Sequence, residues 1–308
     1  MRDEKLVVLV TGCSSGIGFA LAQELYELNS FRVVITARPS SVHRLFQSFT
    51  ENENFIIREL DVRCEKSREA IISGIYRKWK SIDVIVNNAG ISYRSVMEHM
   101  DATSELHQIE TNYIGPIDLI RRIIPSMREK GFGRIINVSS VSGFIAMPTM
   151  ASYTASKHAL EGASESLWHE LKPFGIRVSL VQPGFVNSES YKKVYLTKTA
   201  TLSQELEGPY SDYYHHMAPF IEKLMHLSQS SPRDIAKKII GLILNRHPRL
   251  FIPATPDALL FGCLKKIIPR RVFHLLMFWL LPNSKEWATN HQSLSKTPLL
   301  AFPPASKF

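Results

Sequence analysis

Cysteine is scarce in this chain: Cys13, Cys64 and Cys263 are the only three in 308 residues, and no two stand in a CxxC spacing. Such a set excludes a disulfide framework and a cysteine-built zinc site, and it points to a reducing, cytoplasmic compartment. Arginine-rich arrays and zinc-finger spacings are also missing. The excess of 37 Lys and Arg over 28 Asp and Glu, a net charge of +9, therefore does not read as nucleic-acid binding. It suits a basic protein that holds a polyphosphate ligand. The N-terminus lacks a signal-peptide layout, since two acids precede a very short apolar run. No long uninterrupted hydrophobic run occurs either. The most apolar stretch, residues 258–281, is broken by Lys265, Lys266, Pro269, Arg270 and Arg271, which makes it a poor transmembrane span. Internal repeats and low-complexity linkers are absent, so one large domain is expected.

What is present is an alternation. Apolar, β-branched runs at residues 6–10, 31–36, 55–60, 84–86, 134–138 and 178–181 read as strands, with a seventh at 250–252. Helical periodicity occupies 16–28, 64–80, 104–130 and 152–173. This predicts an α/β fold: a Rossmann-type doubly wound parallel sheet flanked by helices. Ligands of such sheets bind beyond the strand carboxyl ends. A polar, aromatic insertion at 189–230 reads as a substrate lid, against the plainer alternative of a surface helical hairpin. The predicted division is residues 1–253 for the sheet domain with its lid, and 254–308 for a C-terminal helical extension and tail.

Two local signals carry chemistry. Thr11-Gly12-Cys13-Ser14-Ser15-Gly16-Ile17-Gly18 joins the first strand to the first helix. Gly12 permits a tight turn, Gly16 lets backbone approach a phosphate, and Gly18 lets the helix pack on the strand. Backbone N–H groups at the helix start then face an anionic diphosphate. Further along, Tyr153 and Lys157 stand four residues apart, on one face of a helix. A free tyrosine phenol titrates near 10, and a neighbouring ammonium favours its phenolate. The two signals in this order indicate a hydride-transferring enzyme. The end of the second strand, Thr36-Ala37-Arg38, has no acid to accept from the adenosine ribose hydroxyls of NAD. Arg38 can instead pair with a ribose phosphate, and Ser14 can donate to it, so NADP is expected over NAD.

These motifs resemble the classical short-chain dehydrogenase/reductase family. Thr11 to Gly18 matches its TGxxxGIG turn, with Ser15 and Ile17 inside the cofactor loop. Asp61-Val62 matches the pair that holds the adenine, and Asn87-Asn88-Ala89-Gly90 matches NNAG. Asn112, Ser140, Tyr153 and Lys157 match the catalytic tetrad in order and spacing. Pro183-Gly184 matches the turn under the nicotinamide, followed by Val186 and Ser188. Ser188 stands where the family usually has Thr, and keeps the hydroxyl. The spelling of the glycine turn and the added length resemble the subgroup of hydroxysteroid and retinol dehydrogenases.

The resemblance implies roles. Tyr153 donates a proton to a carbonyl as hydride reaches carbon, and Ser140 polarises the same oxygen. Lys157 holds the nicotinamide ribose, and Asn112 orders a water leading to Lys157. It also implies pairing through the helices at 104–130 and 152–173, as homodimers or homotetramers. Phe144, Met147, Met150, Tyr191, Tyr195, Met217 and Phe220 flank the expected site, which suits an apolar steroid, retinoid or lipid-like carbonyl or alcohol. A ketoacyl or other small-carbonyl reductase is the enzymatic alternative. A non-catalytic NADP-sensing regulator is the alternative of another class. Residues 258–281 either lie on a membrane surface or pack on the domain.

Overall fold

Strand β1, Val7–Val10, is buried at every position. Its side chains alternate between two apolar layers: Val8 and Val10 join one cluster, Val7 and Leu9 the other. A strand covered on both faces belongs in the middle of a sheet clothed by helices on both sides. The structure, a computed structural model describing residues 5–188, 193–205, 209–285 and 287, builds that architecture. Strands β2 (Arg32–Ala37), β3 (Phe55–Glu59), β4 (Val84–Asn87), β5 (Gly133–Val138), β6 (Ile176–Gln182) and β7 (Phe251–Pro253) complete it. The seven strands run parallel in the order β3-β2-β1-β4-β5-β6-β7. The order reverses between β1 and β4, the crevice where doubly wound sheets bind ligands.

Helix α1 (Gly16–Leu28) follows β1, and α2 (His43–Ser48) follows β2. Helix α3 (Glu65–Trp79) leads to β4. Between β4 and β5 the chain forms α4 (Ala102–Ile109), a π-helical turn at Glu110–Ile114, and α5 (Gly115–Lys130). The expected continuous helix at 104–130 is thus broken by one widened turn, and Asn112 sits inside it. Turns of this kind gather at functional sites, because the extra residue re-aims a side chain. Helix α6 (Ala151–Leu171) carries Tyr153 and Lys157.

After β6 come α7 (Lys198–Glu205), α8 (Ser211–Leu227) and α9 (Pro232–Leu244). Helix α9 opens on a capping box, in which Ser231 accepts from Asp234 N–H and Asp234 accepts from Ser231 N–H. It packs beside α1 on one face of the sheet, while α3 and α5 cover the other. Helices α10 (Pro256–Ile267) and α11 (Arg270–Trp279), split at Pro269, form the C-terminal extension. Among the described residues no helix is long and apolar enough to cross a membrane.

Candidate active site

The loop after β1 turns sharply because Gly12 adopts φ 73°. A Cβ there would lie 2.6 Å from the Ala89 Cα, so this loop and the β4 end meet backbone to backbone. Thr11 Oγ1 fastens the contact by accepting from Asn88 N and Ala89 N, both at 3.0 Å. Asn88 Nδ2 donates back to Thr11 O at 3.1 Å and Gly12 O at 3.0 Å. Gly18 allows α1 to close on this junction, since a Cβ on it would stand 2.4 Å from both Gly12 O and Asn88 Nδ2. Around Gly16 the opposite holds: a Cβ would meet nothing within 4 Å. Its backbone faces open space.

That space is a cavity of about 430 Å³ at the strand carboxyl ends. Gly12, Ser14, Ser15, Gly16 and Ile17 form one wall. Arg38, Asp61 and Val62 form the far end, and Asn88, Ala89 and Gly90 the floor. Pro183, Gly184, Val186 and Ser188 close the opposite side, and Ser140, Tyr153 and Lys157 face inward between them. Gly18 lies behind the loop. Asn112, 1% exposed, lies behind the floor. Its Oδ1 accepts from Ile91 N at 2.9 Å, and its Nδ2 donates to Ile91 O and Ser156 Oγ, each at 2.9 Å. Asn112 therefore fixes the loop over which Lys157 extends, and it reaches the cavity only through Ile91 and Gly90.

The reactive groups are separated by their partners. Lys157 Nζ donates to Val138 O at 2.9 Å and stands 5.9 Å from the Tyr153 ring centre. Ser139 and Ser140 both border the cavity. Ser139 Oγ is committed to the buried Glu161 carboxylate at 2.6 Å. Ser140 Oγ accepts from Ser142 N at 3.1 Å, which leaves its hydroxyl hydrogen to donate. Burial raises the Glu161 carboxyl above the usual carboxylate range, against the bonds from Ser139 and Gln182. Burial pushes the Cys13 thiol up to about 12, so this loop cysteine is no nucleophile. Among the described residues no cluster of His, Cys, Asp or Glu could hold a metal.

Three side chains in or beside the cavity, Tyr93, Arg94 and His107, were not legible as site residues; they gather around Tyr195, which was expected there. Tyr195 N–H donates to Ser92 O at 2.9 Å, and Arg94 N–H donates to Tyr195 O at 2.8 Å. This short bridge ties residues 193–195, which line the cavity, to the loop after β4. The Tyr195 hydroxyl meets Arg38 Nη1 at 3.4 Å and Nη2 at 3.5 Å. Tyr93 Oη lies 3.0 Å from His107 Nδ1. Burial, then Arg63 and Arg38, hold His107 below the usual imidazole range. Arg94 also borders the cavity. Of the apolar residues expected here, Met147, Met150 and Tyr195 line it. Met217 and Phe220 pack against Met147, Met150 and Tyr153, and Phe144 packs with α10 and α11. Glu189 and Tyr191 lie outside the described residues.

The residues present fit a dinucleotide. The glycine loop leaves room for a diphosphate beside its N–H groups, and Arg38 lines the same cavity. A phenol, a hydroxyl and an ammonium converge at the other end, a set that can exchange a proton with a substrate oxygen.

Comparison with known proteins agrees. Residues 6–199 match the family model of the short chain dehydrogenases. The chain is 34% identical over 253 residues to the uncharacterized oxidoreductase YusZ of Bacillus subtilis, covering 79% of this chain and 86% of that protein. It is 32% identical to retinol dehydrogenase 8 of Bos taurus, covering 81% of each. A short-chain dehydrogenase from Streptomyces avermitilis superposes with TM-score 0.73 at 28% identity, over 90% of this chain and 97% of that one. The structure of ElxO with NADP bound superposes with TM-score 0.63 at 29% identity, over 82% and 98%.

Proposed function

The chain belongs to the short chain dehydrogenase family, and we propose that it interconverts a carbonyl and an alcohol by hydride transfer with NADP, on an apolar steroid-, retinoid- or lipid-like substrate. The observation that carries this reading is the convergence of Tyr153, Lys157 and Ser140 on one cavity with the glycine loop. Gly12 to Ile17, Asp61, Val62, Asn88 to Gly90, Pro183, Gly184, Val186 and Ser188 would hold the dinucleotide, with Arg38 and Ser14 at its ribose phosphate. When bound, it supplies or accepts the hydride.

In reduction, the Tyr153 phenol gives its proton to the carbonyl oxygen. The Ser140 hydroxyl donates to the same oxygen and stabilises the charge that builds there. The Lys157 ammonium favours the phenolate left behind and can hold a ribose hydroxyl. Asn112 is a positioning residue, acting through Ile91. Oxidation reverses each transfer. The apolar wall of Met147, Met150, Ile221 and Met225 supports an apolar substrate. Consumption of NADPH with steroid, retinal and oxoacyl substrates tests the reading, and binding without turnover of any carbonyl would return it to a sensor.

Cofactor choice gives a second test. Arg38→Asp removes the phosphate partner and places an acid where ribose hydroxyls can be bound. A charged hydrogen bond is worth about 1.5–3 kcal/mol, so the NADP-to-NAD ratio of kcat/KM should fall at least about tenfold. An unchanged ratio would assign the phosphate to other residues.

The C-terminal helices extend the proposal to a lipid surface. Helix α11 is apolar on two sides. Phe273 and Met277 pack against Val141 and Ile145, close to Ser140, while Val272, Leu275, Leu276 and Trp279 are exposed. On α10, Leu259 and Leu260 are exposed, and Ile267 at the junction is 80% exposed. Lys265, Lys266, Arg270 and Arg271 cluster at that junction, and no acid occurs from 258 to 285. Exposed apolar rows beside unopposed cations match an anionic bilayer surface. The protein should sediment with phosphatidylserine vesicles at low salt, and Val272→Glu with Leu275→Glu should abolish this without loss of NADP binding. If the unaltered chain ignores such vesicles, the membrane reading fails.

A further inference from the structure

The residues that line the cavity include five cations, Arg38, Arg63, Arg94, Lys157 and Lys193, and one acid, Asp61. Arg38 meets the Tyr195 hydroxyl, Arg63 pairs with Glu110 at 3.2 Å, and Lys157 donates to a carbonyl. Arg94 differs. Its Nη1 is closed off from solvent and has no hydrogen-bond partner among the described residues. Burial lowers Arg94 to about 10, against the opposing effect of the nearby Tyr153 phenol. An arginine held this way costs stability unless something pairs with it.

The surroundings fix Arg94 in place. It sits between Tyr93 and Ser95, which are 8% and 1% exposed. Tyr93 N donates to Gln108 Oε1 at 2.6 Å, and Gln108 Nε2 donates to Ser152 Oγ at 2.8 Å. Ser152 immediately precedes Tyr153 on α6. A chain of buried hydrogen bonds thus sets the Arg94 backbone relative to the phenol, and Arg94 N–H donates to Tyr195 O at 2.8 Å. A guanidinium that lines the cavity beside the proton-transferring group can receive a charged acceptor there.

We propose that Arg94 anchors a carboxylate carried by the substrate, so that the substrate is amphipathic: an apolar chain or ring system with an acid group near the reacting carbonyl. This rests on the oxidoreductase reading above and narrows its substrate class. An amphipathic acid suits the site because Arg94 lines the same cavity as the apolar Met147, Met150, Ile221 and Met225. Lys157 already supplies the positive charge next to the phenol, so Arg94 is not needed for that task.

The test uses the full chain with NADPH and paired probes, 4-oxodecanoate and 5-oxodecanoate against their methyl esters. The unaltered protein should favour the acids. Arg94→Met should lower the acid-to-ester ratio of kcat/KM by roughly ten- to a hundredfold, mainly through KM, and Arg94→Lys should restore part of it. Calorimetry on the NADP complex gives a readout independent of turnover: decanoate should bind more tightly than decanol, and Arg94→Met should remove the difference. Equal losses for acid and ester, with a displaced pH profile for the ester, would overturn the proposal and assign Arg94 to Tyr153 instead. Reduction of neutral ketones with indifference to oxo acids and decanoate would overturn it while leaving the oxidoreductase reading intact. If no carbonyl is turned over, that reading fails, and the decanoate comparison still decides whether Arg94 holds a carboxylate.

Discussion

Tyr153→Phe should lower carbonyl reduction by about a hundredfold or more, within the range that a positioned acid contributes, while NADPH binding persists. The ring stays, so the packing of Tyr153 against Met147 and Met150 is kept, and only the transferable proton is removed. Among the described residues, neither His158 nor His107 is free to substitute. His158 Nδ1 is turned to Thr154 O at 2.9 Å, and His107 is engaged with Tyr93. Ser140 can polarise the oxygen, but a serine hydroxyl is a far weaker acid than a phenol. Lys157 is held by Val138 O, which suits a charge that stays in place. Steady-state reduction measured beside NADPH fluorescence titration separates the two effects. Near-normal turnover in the variant would remove Tyr153 from the mechanism, and loss of NADPH binding would make it a cofactor contact first.

The parts readable from sequence are those where one residue type answers one local demand. Buried parallel strands need continuous β-branched runs, and all seven appear where such runs were found, with β6 longer than its core run at both ends. The glycine loop, NNAG and the Tyr153–Lys157 pair are local spellings. Helix α2 is too short to show periodicity. Helix α9 carried a usable signal, Ser231-Pro232-Arg233-Asp234 before an apolar repeat, which the strand alternation overshadowed. The π-helical turn around Asn112 has no local spelling, and Asn112 inside it bridges Ile91 and Ser156, which are distant in sequence. Arg94, Tyr93 and His107 became site residues only through tertiary approach. Sequence spacing cannot show that residue 195 bridges back to residue 93, nor that Ser139 is spent on Glu161 while Ser140 stays free to act.

Gly12→Ala should destabilise the fold and remove dinucleotide binding together. Two costs add. A residue with a Cβ pays about 1–2 kcal/mol for a left-handed backbone, and Gly12 sits at φ 73°. The added Cβ would then lie 2.6 Å from Ala89 Cα and 2.9 Å from Ala89 N. Both are backbone atoms held by Thr11 Oγ1, so neither can yield as a flexible side chain would. Overpacking of this kind costs about 1–3 kcal/mol, for a total near 2–5 kcal/mol against a typical stability of about 5–15 kcal/mol. Relief requires parting the β1 loop from the β4 end, which breaks the Asn88 bonds and opens the floor beneath the dinucleotide. Gly16→Ala is the control. It shares the positive φ, at 60°, but its Cβ would point into open space. It should lose dinucleotide affinity with a smaller drop in melting temperature. Thermal unfolding of both variants, with and without NADP, distinguishes the two cases. Equal melting temperatures for Gly12→Ala and the unaltered chain would mean that the loop and the β4 end do not meet as closely as described.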